Sequence, residues 1–338
     1  MTPLVQEDRL VEALVATLAR SPHQIHATGE SDAELIRVPG RELVLAVTTD
    51  SIVEEVETGL YEDPELIGWM TVAVNLSDLA AVGATPLGML LNLTIPPDCP
   101  VTYLAAVRSG VDAACRAAGT TVLGGDTNLS AHPQFGGTAI GLLDGGRPIT
   151  RRGAKPGDIL YGSGPLGAGS AFALQRLKLG VPGRFRPAAR LREGRLMRCF
   201  ASCAMDTSDG LLASLDQLGR INGVGFELDL DAGNLLDPDA RALAAGQGIP
   251  PWMMLAGPHG EFELVFSVSH HGVAFFLDEA ARIGWDPVRL GRVVATEGVD
   301  LVEGGRRRRI DPTAVRRLAA DAANDVDRFL AGLERIGS

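Results

Sequence analysis

The chain has 338 residues, 46% hydrophobic and 22% charged, with a net charge of −11. That length suits two domains better than a single core, and the composition argues against disorder. The acidic balance argues against nucleic acid or an anionic membrane as the main partner. Cys99, Cys115, Cys199 and Cys203 form no CxxC pair. Neither zinc nor a disulfide framework is therefore expected, and a reducing cytoplasm is the default setting. The opening MTPLVQEDRL has no signal-type apolar core. No apolar run approaches the ~20 residues of a membrane span.

In chain order, Leu4, Leu10, Val11, Leu14, Val15 and Leu18 fall at helical spacing and predict an amphipathic helix over 3–20. ELVLAVTT (42–49) reads as a buried strand ending at Asp50, and 65–82 reads as a helix. PLGMLLNLTI (86–95) reads as a buried strand stopped by Pro96 and Pro97. A helix over 100–118 ends at Gly119, TTVLGGD is a strand running into a glycine turn, and TAIGLL (138–143) is a further strand. DGGRPITRRGAKPGD then mixes Gly, Pro and charge, which places a domain boundary between 1–147 and 148–338. ILYGSG opens a second α/β unit near 158, with helices expected over 168–179 and 186–204. FELDLD (226–231) and ELVFSV (263–268) read as strands, and the residues from Pro312 as a terminal helix. The fold class is α/β (α+β) in two domains.

Aspartates recur at the ends of apolar segments: Asp50 in VTTD, Asp78 in NLSD, Asp126 in LGGD, and Asp206 and Asp209 in MDTSDG. Asp32 in ESDAEL joins the set. Strand ends are the usual place for site residues in α/β folds. Carboxylates flanked by Thr, Ser, Asn and Gly supply the hard oxygen ligands that Mg²⁺ prefers, and no His/Cys set accompanies them. Any one aspartate also reads as a cap, and Asp206 to Asp209 suit the start of a helix near Gly210. As a set they point to a shared site. In AVNLSDLAAVGATP, Asp78 stands in an otherwise apolar stretch, where an unpaired charge is expensive. GGDT (124–127) and GSGPLGAG (162–169) fit backbone contact with phosphate and fit tight packing equally. Arg151 and Arg152 at the boundary fit a phosphate clamp or a solvated pair. The run Arg306–Arg309 reads as a solvated turn, and His259 as structural. There is no P-loop, no strand-linked GxGxxG and no GxSxG elbow.

TTDSIVEE, IGWMTVAVNLSDLAAVGATP, LGGDT, TRRGAKPGDILYGSG and MDTSDGLL occur in this order. Together they resemble the thiamine-monophosphate kinase family, within the superfamily of aminoimidazole ribonucleotide synthetase. The resemblance covers roughly 29–266. It implies an N-terminal α/β domain that dimerises through its sheet, a C-terminal α/β domain closing over a cleft, and ATP bound with several Mg²⁺ ions. By motif match it implies metal ligation by Asp32, Asp50, Asp78, Asp126, Asp206 and Asp209, with Thr48 and Thr49 beside them. It implies nucleotide contacts at Thr49, Gly124, Gly125, Asp126, Arg151 and Ser208, with Asp126 and Asp209 closest to the chemistry. The chain also departs from the family. Glu30-Ser31-Asp32 stands where GDD is usual. Glu57 stands where a histidine touches thiamine phosphate. PHGEFEL replaces GGEDYEL, so a substrate-side glutamate falls on Gly260 with Glu261 beside it. The C-terminal GYDHF pattern is absent.

The resulting expectation is an ATP- and Mg²⁺-dependent kinase acting on a small-molecule acceptor faced by Glu57 and Glu261. The acceptor is expected to be less anionic than thiamine phosphate and to carry an amine or hydroxyl. Two alternatives stand beside it. One is a synthetase that activates an amide or carbonyl oxygen as a phosphate; the other is a nucleotide-binding dimer without turnover.

Overall fold

The computed structural model describes residues 6–15, 18–145, 147–257, 259–322 and 325–337. Helix α1 (Gln6–Val15) occupies the middle of the helix expected over 3–20; residues 3–5, 16 and 17 lie outside the described residues. Strands β1 (Glu34–Arg37), β2 (Leu43–Ser51), β3 (Thr85–Ile95), β4 (Val122–Leu129) and β5 (Gln134–Asp144) form one sheet in the order β1-β2-β5-β3-β4. Only β3 and β4 pair in parallel. The short helix α2 (Val53–Glu57) follows β2. Helices α3 (Pro64–Ala81) and α4 (Val101–Ala118) pack on each other.

Helix α3 accounts for the aspartate in the apolar stretch AVNLSDLAAVGATP. Asp63 caps it by accepting from Glu65 N, and Pro64 sits at its first position, where a missing N–H is harmless. Fourteen of its eighteen residues are buried, so it is a core helix rather than a surface one. It packs on the first sheet and also reaches β7 (Ala201–Asp206) and β9 (Leu264–Val268) of the second sheet. One hydrophobic cluster accordingly joins Leu76, Leu79 and Ala139 to Tyr161, Ala204 and Phe266. Polar side chains on α3 therefore face a junction between the two halves of the chain.

The second sheet contains β6 (Ile159–Gly162), β7, β8 (Gly225–Asp229), β9, β10 (Val288–Val294), β11 (Gly298–Glu303) and β12 (Arg306–Ile310), in the order β12-β11-β8-β10-β6-β9-β7. Around it lie α5 (Ala168–Ala173), α6 (Leu191–Met197), α7 (Leu211–Asn222), α8 (Pro238–Gln247), α9 (Val273–Arg282), α10 (Pro312–Ala322) and α11 (Val326–Gly337). The α/β (α+β) class is the expected one, but both sheets are mixed and mainly antiparallel.

Four local expectations need correction. The helix expected over 186–204 is α6 followed by strand β7, because Cys203, Ala204 and Met205 are buried in a sheet. A short, continuously apolar run has no period that separates strand from helix. The glycine turn expected at LGGD is strand throughout, since β4 continues to Leu129 beside β3. Arg306–Arg309 form β12, not a turn; Arg307 and Arg309 on one face pair with Asp300. The terminal helix is two helices, α10 and α11.

A candidate metal and phosphate site

Three of the predicted aspartates meet where the two halves join. One carboxylate oxygen from each of Asp32, Asp78 and Asp206 lies within 4.8 Å of the others. Asp32 precedes β1, Asp78 projects from α3, and Asp206 ends β7. Each is held by a neighbour. Thr48 Oγ1 donates to Asp78 Oδ2 at 2.5 Å. Ser77 Oγ donates to Asp206 Oδ2 at 2.6 Å. Arg151 Nη2 binds Asp32 Oδ1 at 3.0 Å. The guanidinium is fixed in turn by Gln217 Oε1 (3.1 Å) and Gly29 O (3.3 Å).

This cluster carries more negative than positive charge. When ionised, its three carboxylates face the single guanidinium of Arg151, and crowding at such distances disfavours ionisation. Burial, then the charges of Asp206 and Asp32, push the Asp78 carboxyl well above the usual carboxylate range. Burial and Asp32 push Asp206 up to about 7. Asp32 Oδ2 and Arg151 Nε are both buried and have no hydrogen-bond partner among the described residues. An orphaned acceptor among three close carboxylates fits a hard divalent cation, which would use that oxygen and relieve the repulsion. The donor set, all oxygen, suits Mg²⁺ rather than zinc or copper.

Asp50 and Asp209 stand outside this triad, at the end of β2 and just before α7. Burial of its carboxyl, with a further contribution from Asp209, holds Asp50 above its ordinary value, so the two share one negative field. Asn75 clasps the Asp50 backbone, accepting from its N–H at 3.0 Å. Thr49 Oγ1 donates to Gly137 O at 2.8 Å, facing β5. Gly124, Gly125 and Asp126 lie exposed on the edge strand β4, where Asp126 accepts from Asn128 Nδ2 at 2.8 Å. The fold does not bring Asp126 into the triad. Ser208 is half-buried and its carbonyl accepts from Gly260 N at 2.9 Å.

The expected acceptor residues sit differently. Glu57 is exposed at the end of α2. The half-buried carboxylate of that helix is Glu55, pushed up to about 7 chiefly by burial, with Asp50 and Asp209 adding to it. Glu261 is buried; its Oε2 accepts from Gly167 N at 2.8 Å, tying the loop before α5 in place. Burial raises it to about 8. Gly260 has no room for any side chain, since a Cβ there would overlap Thr207 O. GSGPLGAG thus serves close packing around Glu261. His259 is structural as expected: burial lowers it to about 4, and it hydrogen-bonds Tyr61 Oη at 2.9 Å.

Ser77, Asn75, Gln217 and Glu55 are site residues that pattern reading passed over. Asn75 and Ser77 did carry a signal: with Asp78 they are the polar exceptions in one apolar helix.

Comparison with known proteins identifies the family of the chain. Residues 30–143 match the model for "AIR synthase related protein, N-terminal domain". A thiamine-monophosphate kinase of Salmonella typhimurium is 31% identical over 81% of this chain and 86% of its own length. The enzyme of that name from Archaeoglobus fulgidus is 31% identical over 85% of this chain and 89% of its own. Among solved structures, AaThiL complexed with AMPPCP and TMP superposes with a TM-score of 0.74 at 25% identity, over 90% of this chain and 97% of that one. The chain belongs to the thiamine-monophosphate kinase family.

Proposed function

We propose that this ATP- and Mg²⁺-dependent kinase passes the γ-phosphoryl group of ATP to a small hydroxyl- or amine-bearing acceptor other than thiamine phosphate. The observation that carries the phosphoryl-transfer reading is the Asp32–Asp78–Asp206 triad with Arg151. Such transfer needs positioning and neutralisation of charge more than a protein nucleophile. The bond from the γ-phosphorus to the bridging oxygen breaks with its electron pair kept by ADP, a bond from the acceptor oxygen or nitrogen to phosphorus forms, and the acceptor proton passes to water. Mg²⁺, when bound, neutralises phosphate charge and fixes the phosphate oxygens. Asp32, Asp78 and Asp206 would hold it, with Asp50 and Asp209 as an outer pair. Arg151 keeps the triad aligned through Asp32. What supports a changed acceptor is the rewritten set of positions. Glu57 stands where the resemblance expects histidine, Gly260 cannot carry a glutamate, and the GYDHF pattern is missing.

A direct trial incubates the protein with ATP, Mg²⁺ and a panel of hydroxyl and amine acceptors, thiamine phosphate included. The expected result, read by phosphorus NMR, is ADP released one-for-one with a phosphorylated acceptor from the panel, with no gain from thiamine phosphate. Efficient turnover of thiamine phosphate would contradict the acceptor reading. ADP with free phosphate in place of a phosphorylated product would favour the synthetase alternative.

We assign residues 1–147 and 148–338 as the two working domains, and the cytoplasm as the setting, a reading that the four free cysteines support. Among the described residues, no helix is long and apolar enough to cross a membrane. We further propose that two copies pair through the five-stranded sheet. Every residue of β4 is exposed, including Leu123 (57%) and Leu129 (71%), an apolar strand edge that a lone protomer would leave open to aggregation. Leu129→Glu should shift the protein from dimer to monomer in light scattering; an unchanged mass would remove β4 from the interface.

A further inference from the structure

Arg151 reaches the triad from the connection between β5 and β6. A long guanidinium side chain has many rotamers, so its aim depends on how its own backbone is held. The Arg151 backbone is held on both sides. Its N–H donates to Glu30 O at 2.8 Å, close in sequence to Asp32. Its carbonyl accepts from Asn222 Nδ2 at 2.8 Å, from the last residue of α7. The same side chain secures the residues that follow. Asn222 Oδ1 accepts from Gly153 N at 2.7 Å and from Ala154 N at 3.2 Å. Asn222 Nδ2 also donates to Leu218 O at 2.8 Å, one turn back on α7, which fixes the amide itself. Two N–H groups on one side and two carbonyls on the other leave the amide a single orientation.

The connection is tight elsewhere too. Thr150 O accepts from Ala204 N of β7 at 3.0 Å. Gly153 has φ 135°, and a Cβ there would lie 2.2 Å from Ser202 O. Only glycine lets the chain lie so closely on β7. Helix α7 meets the triad at two further points. Ser214 Oγ donates to Asp206 O at 3.0 Å, and Gln217 Oε1 accepts from Arg151 Nη1 at 3.1 Å. One helix therefore touches the Asp206 strand near its start, the guanidinium in its middle and the Arg151 backbone at its end. Aim matters here because the Asp32 side chain is only 1% exposed. A guanidinium that strays leaves a buried carboxylate without its counter-charge.

We propose that Asn222 is a positioning residue for phosphoryl transfer: by holding the backbone of Arg151 it aims the guanidinium at Asp32, and so sets how much positive charge the triad keeps. This rests on the reading above that the triad holds the metal, with Arg151 beside the phosphates of ATP. An aimed guanidinium has two opposite effects. It competes with a cation for the carboxylates, and it attracts phosphate. Releasing Arg151 therefore makes the triad more attractive to a bare cation and less attractive to a nucleotide. A general loosening of the fold would weaken both.

The test is binding to the full chain, well below the melting temperature of every variant. Mn²⁺ without nucleotide is titrated by electron paramagnetic resonance, and AMPPCP at fixed Mg²⁺ by calorimetry. Asn222→Ala is expected to bind Mn²⁺ about threefold tighter or more, because a positive charge has left the carboxylates. It is expected to bind AMPPCP about tenfold weaker or more, the scale of one charge-assisted hydrogen bond. Asn222→Ser, whose hydroxyl still serves one of the freed groups, should shift both affinities in the same directions, and it replaces Asn222→Ala if that variant does not fold. In an Arg151→Gln background the Asn222 substitution should change neither affinity further, because its effect passes through Arg151. Both affinities falling together, both unchanged, or the full effect persisting beside Arg151→Gln would each overturn the proposal. Mn²⁺ binding to the parent reports the metal reading separately. No Mn²⁺ bound there would remove the triad as a metal site, and AMPPCP affinity with and without Arg151→Gln would still decide the role of Asn222.

Discussion

Replacing Asp78 by Asn is expected to lower the rate of ATP turnover by about 10²–10³-fold or more, the scale for removing one charge-stabilising group from an active site. The same variant is expected to be more stable than the parent when no metal is present. The two effects have one cause. Asp78 faces Asp206 and Asp32, and burial with their charges holds its carboxyl far above the ordinary range. A neutral amide of the same shape removes that repulsion and the cost of burying an ionisable group, so the metal-free variant gains stability. Thr48 Oγ1, which donates to Asp78 Oδ2, can still donate to the Asn oxygen. Thermal melting without metal, beside a turnover assay, measures both. A variant that loses activity and stability together would point to a merely structural carboxylate.

The second large effect concerns pH and metal. The Asp206 carboxyl lies at about 7 in the folded protein against an ordinary 3.8. Between those values the folded state holds more protons than the unfolded one, so its stability falls as pH rises through that window. The loss is complete above about 7. Mg²⁺ binds the ionised form, so its stabilisation should be small near pH 5 and large at pH 8. A hundredfold excess over the dissociation constant gives about 2.7 kcal/mol. Melting curves across pH 5–8, with and without Mg²⁺ and without nucleotide, are expected to converge at the acid end and separate at the alkaline end. Parallel curves would mean that Mg²⁺ does not neutralise these carboxylates.

Much of this site was legible because its chemistry repeats. Five carboxylates at ends of apolar segments stand out against the background, and a sixth, Asp32, follows the motif. The core α3 helix and strands β2, β3 and β5 were also readable, since long apolar runs with Pro and Gly stops leave few choices. What pattern could not give was partnership. Nothing local says that Asp32 would meet Asp78 and Asp206, while Asp126 would stay on an exposed edge; that depends on α3 spanning both sheets. Glu57 and Glu55 lie two residues apart on one short helix, on nearly opposite faces, so only one of the two carboxylates can turn inward. β7 and β12 were misread because a buried strand lacks alternation, and because a run of arginine looks solvated until Asp300 is placed opposite.

The central claim is that Asp32, Asp78 and Asp206 hold the metal that works with ATP. A crystal grown with AMPPCP and Mn²⁺ in place of Mg²⁺ tests it most directly, because the anomalous signal locates the ion. The expected result is an anomalous peak about 2.0–2.3 Å from oxygens of at least two of these three aspartates, in contact with a nucleotide phosphate. A bound nucleotide whose metal lies elsewhere, with the three carboxylates still facing one another, would contradict it.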